Sequence, residues 1–314
     1  MNQTTFGAHS TTDEVIRGID LRGKTAVVTG SAAGLGLETV RVLAQAGATV
    51  VMAARDPHRN AQAMARIRAD NPQAQLESLT LDLSDLDSVR AAAAAVLEAH
   101  PAIDLLINNA GVMACPLART ANGCELQFAT NHLGHFLFSC LLVPGLRRTA
   151  AARVVSLSSA AHRYAAVDFD DPQFERRPYD SWTAYGQSKT ANALFAVGLA
   201  RRLAPFGITA NAVHPGVIFT ELMRHMDSDA KDNLREQASA VTKTVPQGAA
   251  TQVWAAVSPA LAGVSGKYLE DCHVAQLADA MSYDGCQAYA LDERNAERLW
   301  ELSEQIVGQR FDWR

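Results

Sequence analysis

Between Lys24 and Gly216 the chain alternates short apolar runs with longer segments of helical period, an order that few folds accept. "KTAVVTG" (24–30) reads as a strand, rich in β-branched residues and ended by glycine. "ATVVMAAR" (48–55) is apolar throughout, the pattern of a strand covered on both faces of a parallel sheet. Between them, "LGLETVRVLAQAG" places Leu35, Val42, Leu43 and Ala46 on one helical side, with Gly47 as the stop. The same reading gives helix 58–70, strand 76–83, helix 85–99, strand 103–111, a helix around 124–146 and strand 153–159. A helix at about 182–204 and strand 208–216 follow, then a strand at 266–271 and a closing helix near 292–307. Strict alternation of this kind implies an α/β fold, one doubly wound parallel sheet with helices on both faces. Nothing resembling a linker or an internal repeat interrupts it, so residues 21–314 are expected to form one domain. The Ser/Thr-rich stretch 1–20 is read as a flexible arm.

Composition narrows the function. Of the 314 residues 48% are hydrophobic, enough for a substantial core, and the formal charge of -5 leaves no basic footprint for nucleic acid. The five cysteines are odd in number and lack C-x-x-C spacing, which reads as reduced thiols in a cytoplasmic protein, with no zinc site. No signal-peptide-like apolar stretch opens the sequence, and no transmembrane segment is expected.

"TGSAAGLG" (29–36) falls at the first strand-to-helix junction. Such glycines serve either a tight turn or a backbone cradle for a phosphate at a helix N-terminus. Other motifs decide between the two: "NNAG" (108–111), "NHLGHF" (131–136), "SLSS" (156–159), Tyr185 and Lys189 of "YGQSK", and "HPG" (214–216). In this order, and with Thr29, Gly30, Gly34 and Gly36 in T-G-x-x-x-G-x-G spacing, the chain resembles the short-chain dehydrogenases/reductases over roughly residues 24–310. "NHLGHF", "HPGVIFTEL", "SGKYLEDC" and the 26-residue separation of Ser159 and Tyr185 resemble the retinol-dehydrogenase/WW-domain-oxidoreductase branch. The apolar first helix of that branch's membrane-anchored members is not present here, so the resemblance implies neither anchoring nor a retinoid. It does imply a Rossmann-type sheet.

Tyr185 and Lys189 are one helical turn apart and share a face. A phenol with an ordinary pKa near 10 is a poor proton donor or acceptor at neutral pH, and an adjacent ammonium or a positive nicotinamide ring lowers that value. The resemblance implies that Tyr185 is the general acid/base, that Lys189 also binds the nicotinamide ribose, and that Ser159, not Ser158, holds the substrate oxygen. It further implies that Asn131 holds a water relaying protons from Lys189. By the same resemblance Gly30, Ser31, Ala33, Gly34, Leu35 and Gly36 cradle the dinucleotide phosphates, and Asp82 and Leu83 flank the adenine. Asn109, Ala110 and Gly111 lie under the cofactor, and Pro215, Gly216, Ile218 and Thr220 meet the nicotinamide. At the end of the second strand Ala54 stands where NAD-preferring sites place a carboxylate, and Arg55 follows it. A guanidinium matches a 2′-phosphate, so NADP(H) is favoured over NAD(H), with Asp56 read as the cap of the next helix. His132 and His135 read as packing residues, and no metal is expected.

Tyr164, Phe169, Phe174, Tyr179 and Trp182 crowd the stretch between the two catalytic positions, and Phe219, Met223 and Met226 follow Gly216. Two readings stay open for segments 163–183 and 217–247: lids over an apolar pocket, or cover for a sheet edge or subunit contact. The first predicts a bulky lipophilic or aromatic alcohol, ketone or aldehyde, steroid-like or aryl, with Arg163, Arg176, Arg177 and Arg224 leaving room for one carboxylate. An NAD(P)-dependent oxidoreductase is therefore expected. A dinucleotide-sensing or scaffold protein without turnover is the alternative, against which the complete set Asn131, Ser159, Tyr185 and Lys189 speaks. The resemblance also implies a homodimer or homotetramer paired through the helices carrying Asn131 and Tyr185.

Overall fold

In the computed structural model, which describes residues 6–225, 232, 235, 236, 238, 241–278 and 284–313, the apolar runs form parallel strands. They are β1 (Thr25–Thr29), β2 (Thr49–Ala54), β3 (Leu76–Thr80), β4 (Leu105–Asn108), β5 (Arg153–Leu157), β6 (Thr209–His214) and β7 (Tyr268–Glu270). A two-residue β8 (His273–Val274) closes the sheet antiparallel to β7, and the order is β3-β2-β1-β4-β5-β6-β7-β8. The order reverses between β1 and β4. Loops leaving these two strands diverge there and open a crevice at their carboxyl ends.

The pleat explains why the strands are apolar throughout. Ala26 and Val28 of β1 point into one core layer, together with Val42 and Leu43 of α2 (Gly34–Gln45) and Ile67 of α3 (Pro57–Asp70). Val27 points into the other, with Val89 of α4 (Leu86–Ala99) and Leu137 of α6 (Gly134–Leu146). Before α6 the chain passes from a short α5 (Leu126–Phe128) through a π-helical turn, Ala129–Leu133. The second layer is completed by α7 (Ser181–Leu203) and α9 (Glu293–Val307), the first by α8 (Val245–Val257).

The start of the chain differs from the expected arm. Thr12–Ile16 form α1, closed by a capping box between Thr11 and Glu14, and Val15 and Ile16 are buried against α8 and α2. The Thr12 hydroxyl bonds Glu38, and Arg41 bridges Glu38 and Asp13. Five residues are too few for a helical period, and the one local signal, the T-x-x-E spacing of Thr11 and Glu14 ahead of Val15 and Ile16, was not read. Helix α8 was also absent from the sequence reading, although its Thr244–Gln247 capping box and Pro at the first turn are a start signal.

Every residue from 131 to 140 and from 184 to 200 is buried. The cover is α9 and the tail: Trp300 stacks on Phe195, and Phe311 meets Phe136 edge-on. The helices through which the resemblance implies subunit pairing thus keep no exposed face over these residues.

Candidate active site

The β1–α2 turn brings backbone, not side chains, to the crevice. A Cβ on Gly30 would lie 2.8 Å from the Ala110 Cα, and one on Gly36 would overlap the Gly30 carbonyl, so both positions need glycine. No side chain caps Ala33 at the start of α2, which leaves the first N–H groups of the helix directed at the cavity. That cavity, about 560 Å³, runs from this turn to Tyr185.

Sixteen of the cofactor positions expected from the sequence line it. Gly30, Ala33, Gly34 and Leu35 form the floor at α2; Arg55, Asp82 and Leu83 stand at the ends of β2 and β3. Asn109, Ala110 and Gly111 follow β4, while Pro215, Gly216, Ile218 and Thr220 follow β6, and Tyr185 and Lys189 stand at the far end. Ser31 and Gly36 do not line it: the Ser31 hydroxyl, fully buried, bonds Asn60 beneath the turn, and Gly36 acts through close packing. Asp56 is spent as the α3 cap, accepting from the His58 and Arg59 amides. Arg55 makes no ion pair among the described residues and faces the cavity.

Strand pleating separates the two serines. Ser156 and Ser158 lie on one side of β5 and donate to the Asn192 and Lys189 carbonyls of α7 at 3.1 and 2.8 Å. Ser159 lines the cavity beside Tyr185, and its hydroxyl accepts from the Ala161 amide at 3.2 Å. Burial pushes Tyr185 up to about 12, which the neighbouring Ser159 hydroxyl only partly offsets. This is opposite to the lowering expected from Lys189. The ammonium donates to the Leu157 carbonyl at 3.0 Å and stands 5.6 Å from the Tyr185 ring centre, and burial lowers Lys189 itself to about 8.

Asn131 sits on the π-helical turn, and its side chain is a clamp. Oδ1 accepts from the Val112 amide at 2.8 Å, and Nδ2 donates to the Val112 carbonyl and Ser188 Oγ, both at 2.9 Å. With both amide protons engaged, the side chain ties the loop after β4 to α7. His132 packs among Phe128, Phe136 and Phe195, and among the described residues no cluster could hold a metal.

At the Tyr185 end the wall is apolar, made by Met113, Trp182, Leu222 and Met223 around the phenol. Of the five aromatics in 163–183, Tyr164 and Trp182 line the cavity. Phe169 lies under Arg298 of α9, Phe174 under Arg177, and the Tyr179 hydroxyl bonds Glu125 and the Cys115 carbonyl. The middle of this segment is therefore cover for the body, tied down by Gln187 and the Asp171 carboxylate, and only its ends reach the site. Arg163 is buried on the Gly285 carbonyl, and of the four arginines only Arg224 lines the cavity. Phe219 faces a neighbouring cavity, and Met226 lies outside the described residues. Sequence reading missed Arg59 and Glu221, which both line the cavity; Arg59, four residues after Arg55 across a helix start, was the available signal.

The short chain dehydrogenase family matches residues 24–231. A Streptomyces lividans protein described as a probable oxidoreductase is 46% identical, covering 90% of this chain and 97% of its own length. Human retinol dehydrogenase 12 is 42% identical over 94% of this chain and 89% of its own. An uncharacterised Mycobacterium paratuberculosis protein of known structure is 35% identical with a TM-score of 0.74, covering 95% of this chain and 98% of its own. A Burkholderia cenocepacia short chain dehydrogenase solved in complex with NADP is 27% identical with a TM-score of 0.65, covering 80% and 96%. Among the described residues no helix is long and apolar enough to cross a membrane.

Proposed function

The chain belongs to the short-chain dehydrogenase family, on its retinol-dehydrogenase-like branch, and from that premise we propose an NADP(H)-dependent oxidoreductase acting on bulky lipophilic or aromatic carbonyl compounds and alcohols. One observation carries the reading. A single cavity joins an uncapped helix N-terminus at one end to Ser159, Tyr185 and Lys189 at the other.

The residues present fit a dinucleotide: the glycine cradle would be filled by any Cβ, and the free N–H groups of α2 suit a pyrophosphate. When bound, the nicotinamide supplies or accepts the hydride. The chain's own part is the proton. Ser159 and Tyr185 hold the substrate oxygen between their hydroxyls, and Tyr185 gives its phenolic proton to that oxygen in reduction or takes one from it in oxidation. The phenol is protonated at neutral pH, the form needed to reduce a carbonyl, and burial moves it further from ionising. Lys189, beside it, favours the phenolate that this transfer leaves behind. Asn131 positions the loop and α7 around them.

The absence of a carboxylate at Ala54 and the unpaired Arg55 support NADP(H), as does likeness to a structure solved with NADP. Met113, Trp182, Leu222 and Met223 support an apolar substrate, in keeping with the name of the human relative. The test is a homologous series of alkyl aryl ketones with NADPH and with NADH. kcat/KM is expected to rise by about 0.8 kcal/mol, roughly fourfold, per added methylene until the pocket is full. NADPH is expected to be the better donor, and Arg55→Ala to weaken NADPH more than NADH. A flat series, or better turnover of small polar sugars, defeats the substrate reading.

A further inference from the structure

The end of the cavity beside α2 and α3 is lined by an ion pair that neither the sheet nor the glycine turn requires. Arg59, in the first turn of α3, meets Glu221 at 2.5 Å, although the two are 162 residues apart in sequence. Glu221 opens the 3₁₀ turn Glu221–His225 that follows β6. Both side chains are half in water, at 50% and 62% exposure, and such a pair is weak and readily exchanged. Both also line a second cavity of about 510 Å³, shared with Ala33, Gly34 and Thr220. The pair therefore stands between the two cavities beside the uncapped start of α2, and Arg55 lines the first cavity with it.

We propose that Glu221 is a built-in competitor for the cofactor's 2′-phosphate, holding Arg59 until that phosphate displaces it, and so sets the NADP(H)/NAD(H) ratio. A phosphate dianion flanked by two guanidiniums outbids a single exposed carboxylate, because it brings more charge and a geometry that matches the guanidinium fork. NAD(H) brings nothing at that position that could take Arg59 from Glu221. The neighbouring Asp56 carboxylate also lines the cavity and attracts Arg59, but its Oδ1 caps α3 and it forms no ion pair with Arg59, so Glu221 is the partner that holds the guanidinium. The discriminating carboxylate thus comes from the loop after β6, not from the end of β2, where a sequence comparison would look for it.

The inference rests on the NADP(H) reading above, and equilibrium binding separates the two. NADPH and NADH are titrated by cofactor fluorescence into wild type, Arg55→Gln, Arg59→Gln, Glu221→Gln and the double variant Arg59→Gln/Glu221→Gln, at one fixed salt concentration. Glu221→Gln is expected to tighten NADPH by about three- to fivefold and NADH by less than about twofold, while Arg59→Gln weakens NADPH by about tenfold or more. In the Arg59→Gln background, removing Glu221 should change NADPH affinity by less than about twofold, because the competition needs Arg59. Equal wild-type affinities for NADPH and NADH, unmoved by Arg55→Gln, would overturn the NADP(H) reading. A wild-type NADPH preference that Glu221→Gln leaves unchanged would overturn only the role of Glu221. So would a gain from Glu221→Gln that persists without Arg59.

Discussion

The Thr29 hydroxyl and the His135 ring nitrogen Nε2 lie 2.8 Å apart in the buried interior, between the last residue of β1 and the first turn of α6. The hydrogen positions follow from the partners. His135 Nδ1 faces the Asn131 carbonyl at 2.9 Å, which can only accept, so Nδ1 carries the proton and Nε2 accepts from Thr29. The Thr29 oxygen in turn accepts from the Asn109 and Ala110 amides, both at 3.0 Å. One relay of hydrogen bonds thereby fixes the end of the glycine strand, the loop after β4 and the π-helical turn carrying Asn131.

Thr29→Val keeps the shape of the side chain and removes its oxygen. Two backbone N–H groups in the interior then lose their acceptor, at about 1–3 kcal/mol each if neither relaxes. Urea unfolding should show a loss of that order, and cofactor affinity should fall with it because Asn109 and Ala110 line the cavity. Full stability in the variant would show that these amides find other partners.

Tyr185→Phe should leave cofactor binding nearly intact and lower turnover by about 10²–10⁴, the usual worth of a positioned proton donor. Lys189→Ala should reduce both, since Lys189 lines the cavity as well as standing beside the phenol. Steady-state kinetics with fluorescence binding checks the split. A Tyr185→Phe enzyme retaining a tenth of wild-type activity would remove Tyr185 from the proton transfer.

Deleting residues 1–18 should destabilise the protein, against what its polar composition alone implies. The cut removes buried Val15 and Ile16, at about 1.5–3 kcal/mol for each fully buried side chain. It also uncovers part of α8 and α2. A thermal melt should drop by several degrees, and an unchanged midpoint would mean that α1 contributes nothing to the core.

Acid should unfold the protein earlier than its carboxylates alone would require. Burial lowers His132 and His214 to about 3 and His135 and His162 to about 4, from 6.5. In the unfolded chain these rings take up protons below about pH 6.5, while in the folded chain they stay neutral to about pH 4. The unfolded state therefore binds more protons in that window, and stability falls as pH drops from about 6.5 to 4. Urea midpoints measured across pH 4–8 should show this slope. His132→Phe should flatten it, because this ring already packs as an aromatic among Phe128, Phe136 and Phe195 and its Nδ1 has no partner.

The sheet was legible in the chain alone, and so was the set of residues, Gly30, Tyr185 and Lys189 among them, that the fold brings to one cavity. Apolar runs such as Val27–Val28 and Val50–Val51 are readable because strands covered on both faces need no alternation. Gly30, Tyr185 and Lys189 are readable because a backbone cradle and a helical turn are local arrangements with fixed spacing. Everything set by contacts distant in the chain had to wait for the tertiary structure. The aromatic segment 163–183 could be read as a lid or as cover, and Phe169 and Phe174 are claimed by Arg298 and Arg177, which only folding brings over their rings. That residues 131–140 and 184–200 are buried within one chain, under α9 and the tail, is likewise visible only in the fold. Lys189 and a nicotinamide ring were both expected to lower the Tyr185 phenol, and in the protein alone burial raises it, because desolvation depends on everything packed around a group. Local spacing is written in the chain, whereas burial and long-range partners exist only once it has folded.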